Sequence, residues 1–83
     1  MPKSIHTDQY RVFKHALVNA RKAANLTQYD LAQRLVKPQS FVSKFELGER
    51  RLDVIEFIAV ARAIGVNPCE IIHILDTLYD EDK

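Results

Sequence analysis

Residues 27–47 read TQYDLAQRLVKPQSFVSKFEL, and this segment is the most informative about the fold. Apolar side chains recur in it three and four positions apart, at Leu31 and Leu35 and again at Val42 and Phe45. That spacing is typical of two short amphipathic helices, each of which buries one face. The connection between them is very short, so the two helices pack together and leave the outer face of the second one free.

Helical periodicity continues on both sides of this stretch, and no segment alternates apolar and polar residues as a strand would. Residues whose side chains can cap a helix N-terminus stand at Thr27, Asp53 and Asn67. Glycines placed to end helices stand at Gly48 and Gly65. We therefore predict one all-α domain over residues 1–83, a compact bundle of five helices. The predicted segments are an N-terminal tail at 1–6, helices at 7–24, 27–35, 38–47, 53–64 and 67–79, and an acidic tail at 80–83.

The charge of the chain is distributed unevenly along its length. Residues 1–51 carry ten basic and four acidic side chains, a net charge of +6. Residues 52–83 carry two basic and seven acidic side chains, a net charge of −5. The first part suits a polyanion such as a nucleic acid, whereas the second would repel one. Both parts could also be ordinary solvated surface, so the asymmetry favours nucleic acid only weakly.

The sequence lacks the residues that several classes of function require. No apolar run approaches the ~18 residues of a membrane span, and the first residues have no apolar signal-peptide core. The single cysteine, Cys69, cannot form a disulfide within the chain, which suits a reducing compartment. The three histidines lie far apart without other ligands at metal spacing, and there is no glycine-rich phosphate loop. We expect a cytoplasmic protein that is not an enzyme, with no metal, no cofactor and no membrane contact.

The outer face of the second helix in the opening stretch carries polar side chains that the core does not need. They are donors and acceptors of a length that reaches base edges, namely Gln39, Ser40, Ser43 and Lys44. A helix fits the major groove of DNA, where each base pair presents a distinct pattern of donors and acceptors. Glutamine pairs with adenine and lysine donates to guanine, so this face predicts sequence-specific reading of double-stranded DNA.

The same residues carry a family resemblance. The runs LTQYDLAQRL at 26–35 and QSFVSKFELGER at 39–50 resemble the helix-turn-helix of the Cro/cI type, also called the xenobiotic-response-element type. The likeness extends from about Phe13 to Ile72. It implies a phage-repressor-like DNA-binding domain with the helix-turn-helix in the second and third helices, acting as a sequence-specific transcriptional regulator.

The resemblance also implies roles for individual residues. Gln39, Ser40 and Lys44 match base-reading positions, and Ser43 is a further candidate. The candidates for contacts to phosphate or the DNA backbone are Thr27, Gln28, Lys37, Arg50 and Arg51. Gln28 is also expected to brace Gln39. Arg21 and Glu46 match a salt bridge that ties the first helix to the third, although Arg21 could instead be an exposed cation of little energetic value.

The turn between the two helices departs from the family pattern. Many members have glycine at the position of Val36, where it permits a left-handed backbone that is costly for valine. The next position is usually apolar and is Lys37 here. We therefore expect a slightly different turn, in which Val36 fills the apolar role and Pro38 fixes the direction of the third helix. Lys37 would then be free to contact phosphate.

The expected function is that of a repressor that binds a near-palindromic operator as a homodimer. The C-terminal helices have more apolar residues than one core needs. Val54, Phe57, Ile58, Ala61, Ile64, Ile71, Leu75 and Leu78 suffice for that core. This leaves Ile55, Ala59, Ile72 and Tyr79 for a dimer interface, unless they are ordinary exposed apolar residues. The alternative function is an antitoxin or another protein-interaction module on the same fold, with a small protein partner and secondary DNA binding.

Overall fold

A computed structural model describes the backbone of residues 2–81 and the side chains of residues 8–79. It contains five helices: α1 Pro2–Ala23, α2 Gln28–Leu35, α3 Gln39–Leu47, α4 Val54–Ile64 and α5 Pro68–Glu81. No strand occurs in these residues, so the predicted all-α, five-helix architecture is confirmed. None of the helices in the described part of the chain has the length and apolar character needed to cross a membrane.

Two predicted ends of the chain are corrected. The N-terminal tail predicted at 1–6 is wrong, because α1 already begins at Pro2. Proline is tolerated in a first helical turn, and no residue between it and Asp8 interrupts a helix. The acidic tail predicted at 80–83 is shorter than expected, since α5 continues through Glu81. Met1, Asp82 and Lys83 lie outside the described residues.

Four of the helices end in the same way. A left-handed residue directly follows α2, α3 and α4, at Val36, Gly48 and Gly65 with φ of 56°, 85° and 102°. In α1 it lies one position later, at Asn25 with φ of 60°. In each case the following backbone N–H groups donate to carbonyls of the last turn. These bonds satisfy carbonyl groups that a helix end would otherwise leave unpaired.

Val36 contradicts the predicted turn. Its φ of 56° and ψ of 48° are left-handed, and its side chain is 88% exposed, so it does not fill an apolar role. Val36 N–H donates to the Gln33 carbonyl at 3.1 Å and Lys37 N–H donates to the Ala32 carbonyl at 3.0 Å. Both bonds require this conformation, which costs a residue other than glycine about 1–2 kcal/mol. The chain therefore keeps the backbone that glycine would take and tolerates the strain.

The core lies where the five helices meet, and α5 contributes Ile71 to it. Its largest fully buried side chains are Leu17, Leu31, Val42, Phe45 and Val60. The buried stripe of α4 differs from the predicted one, because Val54 and Ile58 are 66% and 39% exposed whereas Val60 is fully buried. Phe57, on the buried side, meets Phe13 of α1 edge to face at 5.1 Å between ring centroids. The buried stripe of α4 therefore runs through Phe57, Val60, Ala61 and Ile64, and Val54 and Ile58 face outward.

Candidate nucleic-acid interface

Helix α3 has a buried face and a free face. Val42 and Phe45 point into the core, where they are 0% and 2% exposed. Gln39, Ser40 and Lys44 lie on the other side and are exposed. Within residues 8–79, none of these three side chains makes a hydrogen bond. The structure therefore brings three of the predicted base-reading side chains to one surface with their donors and acceptors unused.

Ser43 is placed less favourably than the other three. It is half-buried, and its hydroxyl donates to the Ser40 carbonyl at 3.3 Å. This is a long bond for a hydroxyl donor. Ser43 is thus partly turned into its own helix, and its oxygen keeps only acceptor capacity toward an outside group.

A buried ion pair joins α1 to α3. Arg21 Nε donates to Glu46 Oε2 at 2.7 Å, and Arg21 Nη2 donates to Glu46 Oε1 at 3.0 Å. The two side chains are only 10% and 7% exposed. A third donor, Arg21 Nη1, donates to the Leu26 carbonyl at 2.8 Å, so the segment before α2 is also joined to the ion pair. The pair implied by the resemblance is therefore present, and it is buried rather than exposed.

Gln28 belongs to this same network. Its Nε2 donates to Glu46 Oε1 at 2.8 Å, and no hydrogen bond to Gln39 is present among the described residues. The expected brace between Gln28 and Gln39 is therefore not formed in this structure. A buried carboxylate is a stronger acceptor than a neutral amide, which explains the preference. Gln28 instead links α2 to the ion pair that positions α3.

The N-terminus of α2 is closed by a capping box. Thr27 Oγ1 accepts from the Asp30 N–H at 3.0 Å, and Asp30 Oδ2 accepts from the Thr27 N–H at 2.9 Å. These two bonds hold the pKa of Asp30 below its usual value. The Thr27 hydroxyl only accepts in the cap, so its own proton remains a donor for an outside group. The sequence reasoning missed Asp30, although the T-x-x-D spacing of a capping box was visible.

Arg50 is tied into the loop that follows α3. Its Nη1 and Nη2 donate to Glu56 at 2.9 and 2.6 Å, and Nη1 also reaches the Arg51 carbonyl at 3.2 Å. The guanidinium carbon lies 4.8 Å from the centroid of the Phe41 ring. The Arg50 bonds, together with the Asp53 N–H, lower the pKa of Glu56 to about 2. Arg50 was predicted to contact DNA, but in this structure its charge is engaged by Glu56.

Two other predicted cations are exposed and rest on aromatic rings. The guanidinium carbon of Arg51 lies 4.2 Å from the centroid of the Tyr10 ring. Lys37 Nζ lies 5.5 Å from the centroid of the Phe41 ring. Contact with the ring face restricts these side chains while their N–H groups stay available. Both are therefore suited to contact phosphate from either side of α3.

The structure adds two basic residues that the sequence reasoning did not single out. Arg11 and Lys14 of α1 line a shallow depression together with Gly48 and Arg51. Lys14 Nζ lies 3.2 Å from the place where a Cβ on Gly48 would be. The excess positive charge of residues 1–51 was visible in the sequence. The packing of α1 brings part of this positive charge, that of Arg11 and Lys14, beside the loop after α3.

The predicted dimer residues are all on the surface. Ile55 of α4 is 74% exposed, Ile72 and Tyr79 of α5 are 48% and 53% exposed, and Ala59 is exposed as well. Val54 and Ile58 extend the apolar surface of α4 that Ile55 and Ala59 begin. These side chains are available for an interface.

Comparison with known proteins agrees with this geometry. A helix-turn-helix family model matches residues 17–71. Among solved structures, the chain is similar to an "XRE-family like protein" from Pseudomonas syringae pv. tomato strain DC3000. The two are 48% identical, the TM-score is 0.88, and the match covers 93% of this chain and 94% of the other. No curated protein matches the chain. The chain belongs to the XRE, or Cro/cI-type, family of helix-turn-helix DNA-binding transcription regulators.

Proposed function

We propose that the chain binds specific operator sites in double-stranded DNA as a homodimer and represses transcription. The observation that carries this proposal is the free face of α3. Gln39, Ser40 and Lys44 are exposed there, and their side chains make no hydrogen bond within residues 8–79. In the major groove, Gln39 would pair with adenine and Lys44 would donate to guanine. A good pair of this kind contributes about 1–3 kcal/mol of discrimination against a wrong base.

Phosphate contacts would fix the position of α3 in the groove. Lys37 and Arg51 lie before and after α3, and the Thr27 hydroxyl stands at the start of α2. Such contacts fix register and orientation without reading sequence. They also make binding depend on salt, because each neutralised phosphate releases counterions.

The homodimer follows from the small footprint of one such domain. A single helix-turn-helix contacts too few base pairs to single out a site among the non-specific sites of a genome. A two-fold dimer doubles the contacts and places two recognition helices about 34 Å apart, facing successive major grooves of a near-palindrome. The exposed Ile55, Ala59, Ile72 and Tyr79 supply apolar surface for such an interface. A dimer on an operator that overlaps a promoter represses by occupying it.

Selection of bound fragments from genomic DNA tests the DNA-binding part. The wild-type protein should enrich near-palindromic sites. Gln39→Ala should weaken binding to the best site roughly 5- to 150-fold for each half-site that loses the contact, and it should relax preference at one base pair of each half-site. Arg62→Ala is a matched surface control, because Arg62 is exposed on α4 in the acidic part of the chain. No enrichment, or unchanged preference in Gln39→Ala, would contradict the placement of α3.

Sedimentation of the free protein at about ten to one hundred micromolar tests the homodimer. Ile72→Asp should dissociate the dimer and weaken operator binding while leaving α3 intact. A 9.6 kDa monomer that binds its operator one copy per site would refute the dimer. If the exposed apolar residues instead bind a small protein partner and the operator is not bound, the antitoxin-like alternative is favoured.

A further inference from the structure

A basic depression lies at the C-terminal end of α3, between that helix and α1. It has a volume of about 260 Å³ and is lined by Tyr10, Arg11, Lys14, Leu47, Gly48 and Arg51. Three of these residues are cations, and no acidic side chain is among the described residues that line it. A concave surface that holds several cations and no acid attracts an anion.

The three cations have few partners within the fold. Lys14 is half-buried and, like Arg51, forms no ion pair within residues 8–79. Arg11 has one contact to Asp8 at 3.3 Å, and these two side chains are 60% and 59% exposed. Such an exposed pair contributes little to stability. All three cations are therefore available to an anion from outside.

Gly48 keeps the depression open. It lies in the left-handed region with φ of 85°, directly after α3, and it has no side chain. Lys14 Nζ lies only 3.2 Å from the place that a Cβ on Gly48 would occupy. A side chain at this position would therefore displace the Lys14 ammonium.

The end of α3 does not account for so much positive charge. A helix C-terminus carries about half a negative charge, which one nearby lysine such as Lys14 would balance. Glu49 follows Gly48 but is exposed and does not line the depression. The three cations, less the Asp8 carboxylate and this half charge, leave an excess of about +1.5.

We propose that the depression binds a phosphate of the DNA backbone, so that α1 is part of the DNA interface together with the helix-turn-helix. Lys14, Arg11 and Arg51 donate to the phosphate oxygens, as lysine and arginine commonly do. This inference rests on the proposed function, because it takes DNA as the source of the phosphate.

A phosphate at this place complements the contact expected of Lys37. Lys37 precedes α3 and the depression follows it, and the nine residues of α3 are about 13 Å long. The major groove is about 12 Å wide, so the two ends of α3 contact different phosphates. Two such contacts fix the orientation of α3 in the groove, which one contact alone does not.

The salt dependence of DNA binding tests this site. Fluorescence anisotropy measures the affinity of the wild type and of Lys14→Gln for the selected operator and for a random duplex of the same length. Lys14→Gln should reduce the salt slope by about 0.9 per protomer on both duplexes. Between about 50 and 200 mM salt, the wild type should lose about 3.5-fold more affinity per protomer than the variant. Sequence preference should stay unchanged, because a phosphate contact reads no base.

Two variants and an unfolding measurement provide the controls. Arg62→Gln removes a cation from an exposed position on α4, outside the depression, and should leave the salt slope unchanged. Lys14→Arg keeps the charge and should keep the wild-type slope. Urea unfolding without DNA checks the fold of each variant. A lower unfolding midpoint in Lys14→Gln with an unchanged salt slope would overturn the proposal, since Lys14 would then only balance the end of α3.

Ethylation of individual operator phosphates identifies the contact itself. Ethylation of one phosphate in each half-site should weaken binding of the wild type but not of Lys14→Gln, whereas the other phosphates should affect both proteins alike. Identical ethylation patterns in the two proteins would overturn the site and leave the proposed function standing. If no operator is selected, the proposed function fails, and a reduced salt slope of Lys14→Gln on the random duplex still establishes the phosphate site of α1.

Discussion

Replacing Arg21 by alanine should cost a large part of the stability of this domain. Arg21 and Glu46 are 10% and 7% exposed, so truncation leaves a buried carboxylate with Gln28 as its remaining side-chain donor. Removing one partner of a buried pair costs about 3–5 kcal/mol. The free energy of unfolding of an 83-residue domain is roughly 4–12 kcal/mol in total, at about 0.05–0.15 kcal/mol per residue. The melting temperature should therefore fall by more than about 12 °C, at 4–8 °C per kcal/mol.

Urea unfolding followed by circular dichroism measures this loss. The matched control is Arg11→Ala, whose pair with Asp8 is 60% and 59% exposed and should be worth less than about 1 kcal/mol. The double variant Arg21→Met with Glu46→Leu removes both charges and should recover most of the loss. A loss in Arg21→Ala as small as that of the control would refute the claim that the pair is buried. A double variant no more stable than Arg21→Ala would show that lost packing, not an unpaired carboxylate, causes the effect.

Three further predictions concern the α2–α3 turn and the loop after α3. Val36→Gly should raise the free energy of unfolding in urea by about 0.5–1 kcal/mol, because the left-handed strain exceeds the entropy that glycine adds, and a decrease would contradict it. The pKa of Glu56 is lowered to about 2 from an ordinary 4.5, so the ionised carboxylate stabilises the fold above pH 4.5. This stabilisation is lost as pH falls toward 2. Urea midpoints of Glu56→Gln should therefore change less than those of the wild type between pH 5 and 2. Arg51→Ala should reduce the salt slope of DNA binding, measured by fluorescence anisotropy, by about 1 per protomer and so by about 2 for the dimer. Arg50→Ala should change the salt slope less, because the charge of Arg50 is already paired with Glu56. Equal slopes in the two variants would contradict this expectation.

The features that the sequence predicted well are those with local causes. Thr27 and Asp53 accept from backbone N–H groups three residues later, as their positions before apolar runs predict. The free face of α3 also follows from local spacing, because Val42 and Phe45 fix the buried side and leave Gln39 and Lys44 outside. Such features need only the periodicity of a helix and the chemistry of its ends.

The rotation of α4 could not be predicted in the same way. Its sequence VIEFIAVARAI is apolar at most positions, so several stripes are compatible with helical spacing. The choice of Val60 over Val54 and Ile58 depends on how α4 packs against α1, α2 and α5. The bond from Arg50 to Glu56 likewise joins a loop to a helix. It depends on a loop path that residue spacing does not specify.

Val36 shows how a local preference can lose to the packing of two helices. A valine avoids the left-handed region, which is why the sequence favours another turn. A different backbone at Val36 would move α3 relative to α2, and Glu46 and Gln39 are both carried by α3. Moving α3 would break the Glu46 bonds to Arg21 and Gln28, and leaving a buried charge without its partners costs about 3–5 kcal/mol. The strain of about 1–2 kcal/mol is the smaller cost, so the backbone is kept and the side chain is left exposed. The position of the free face of α3 is therefore set by the buried network, and the turn conforms to it.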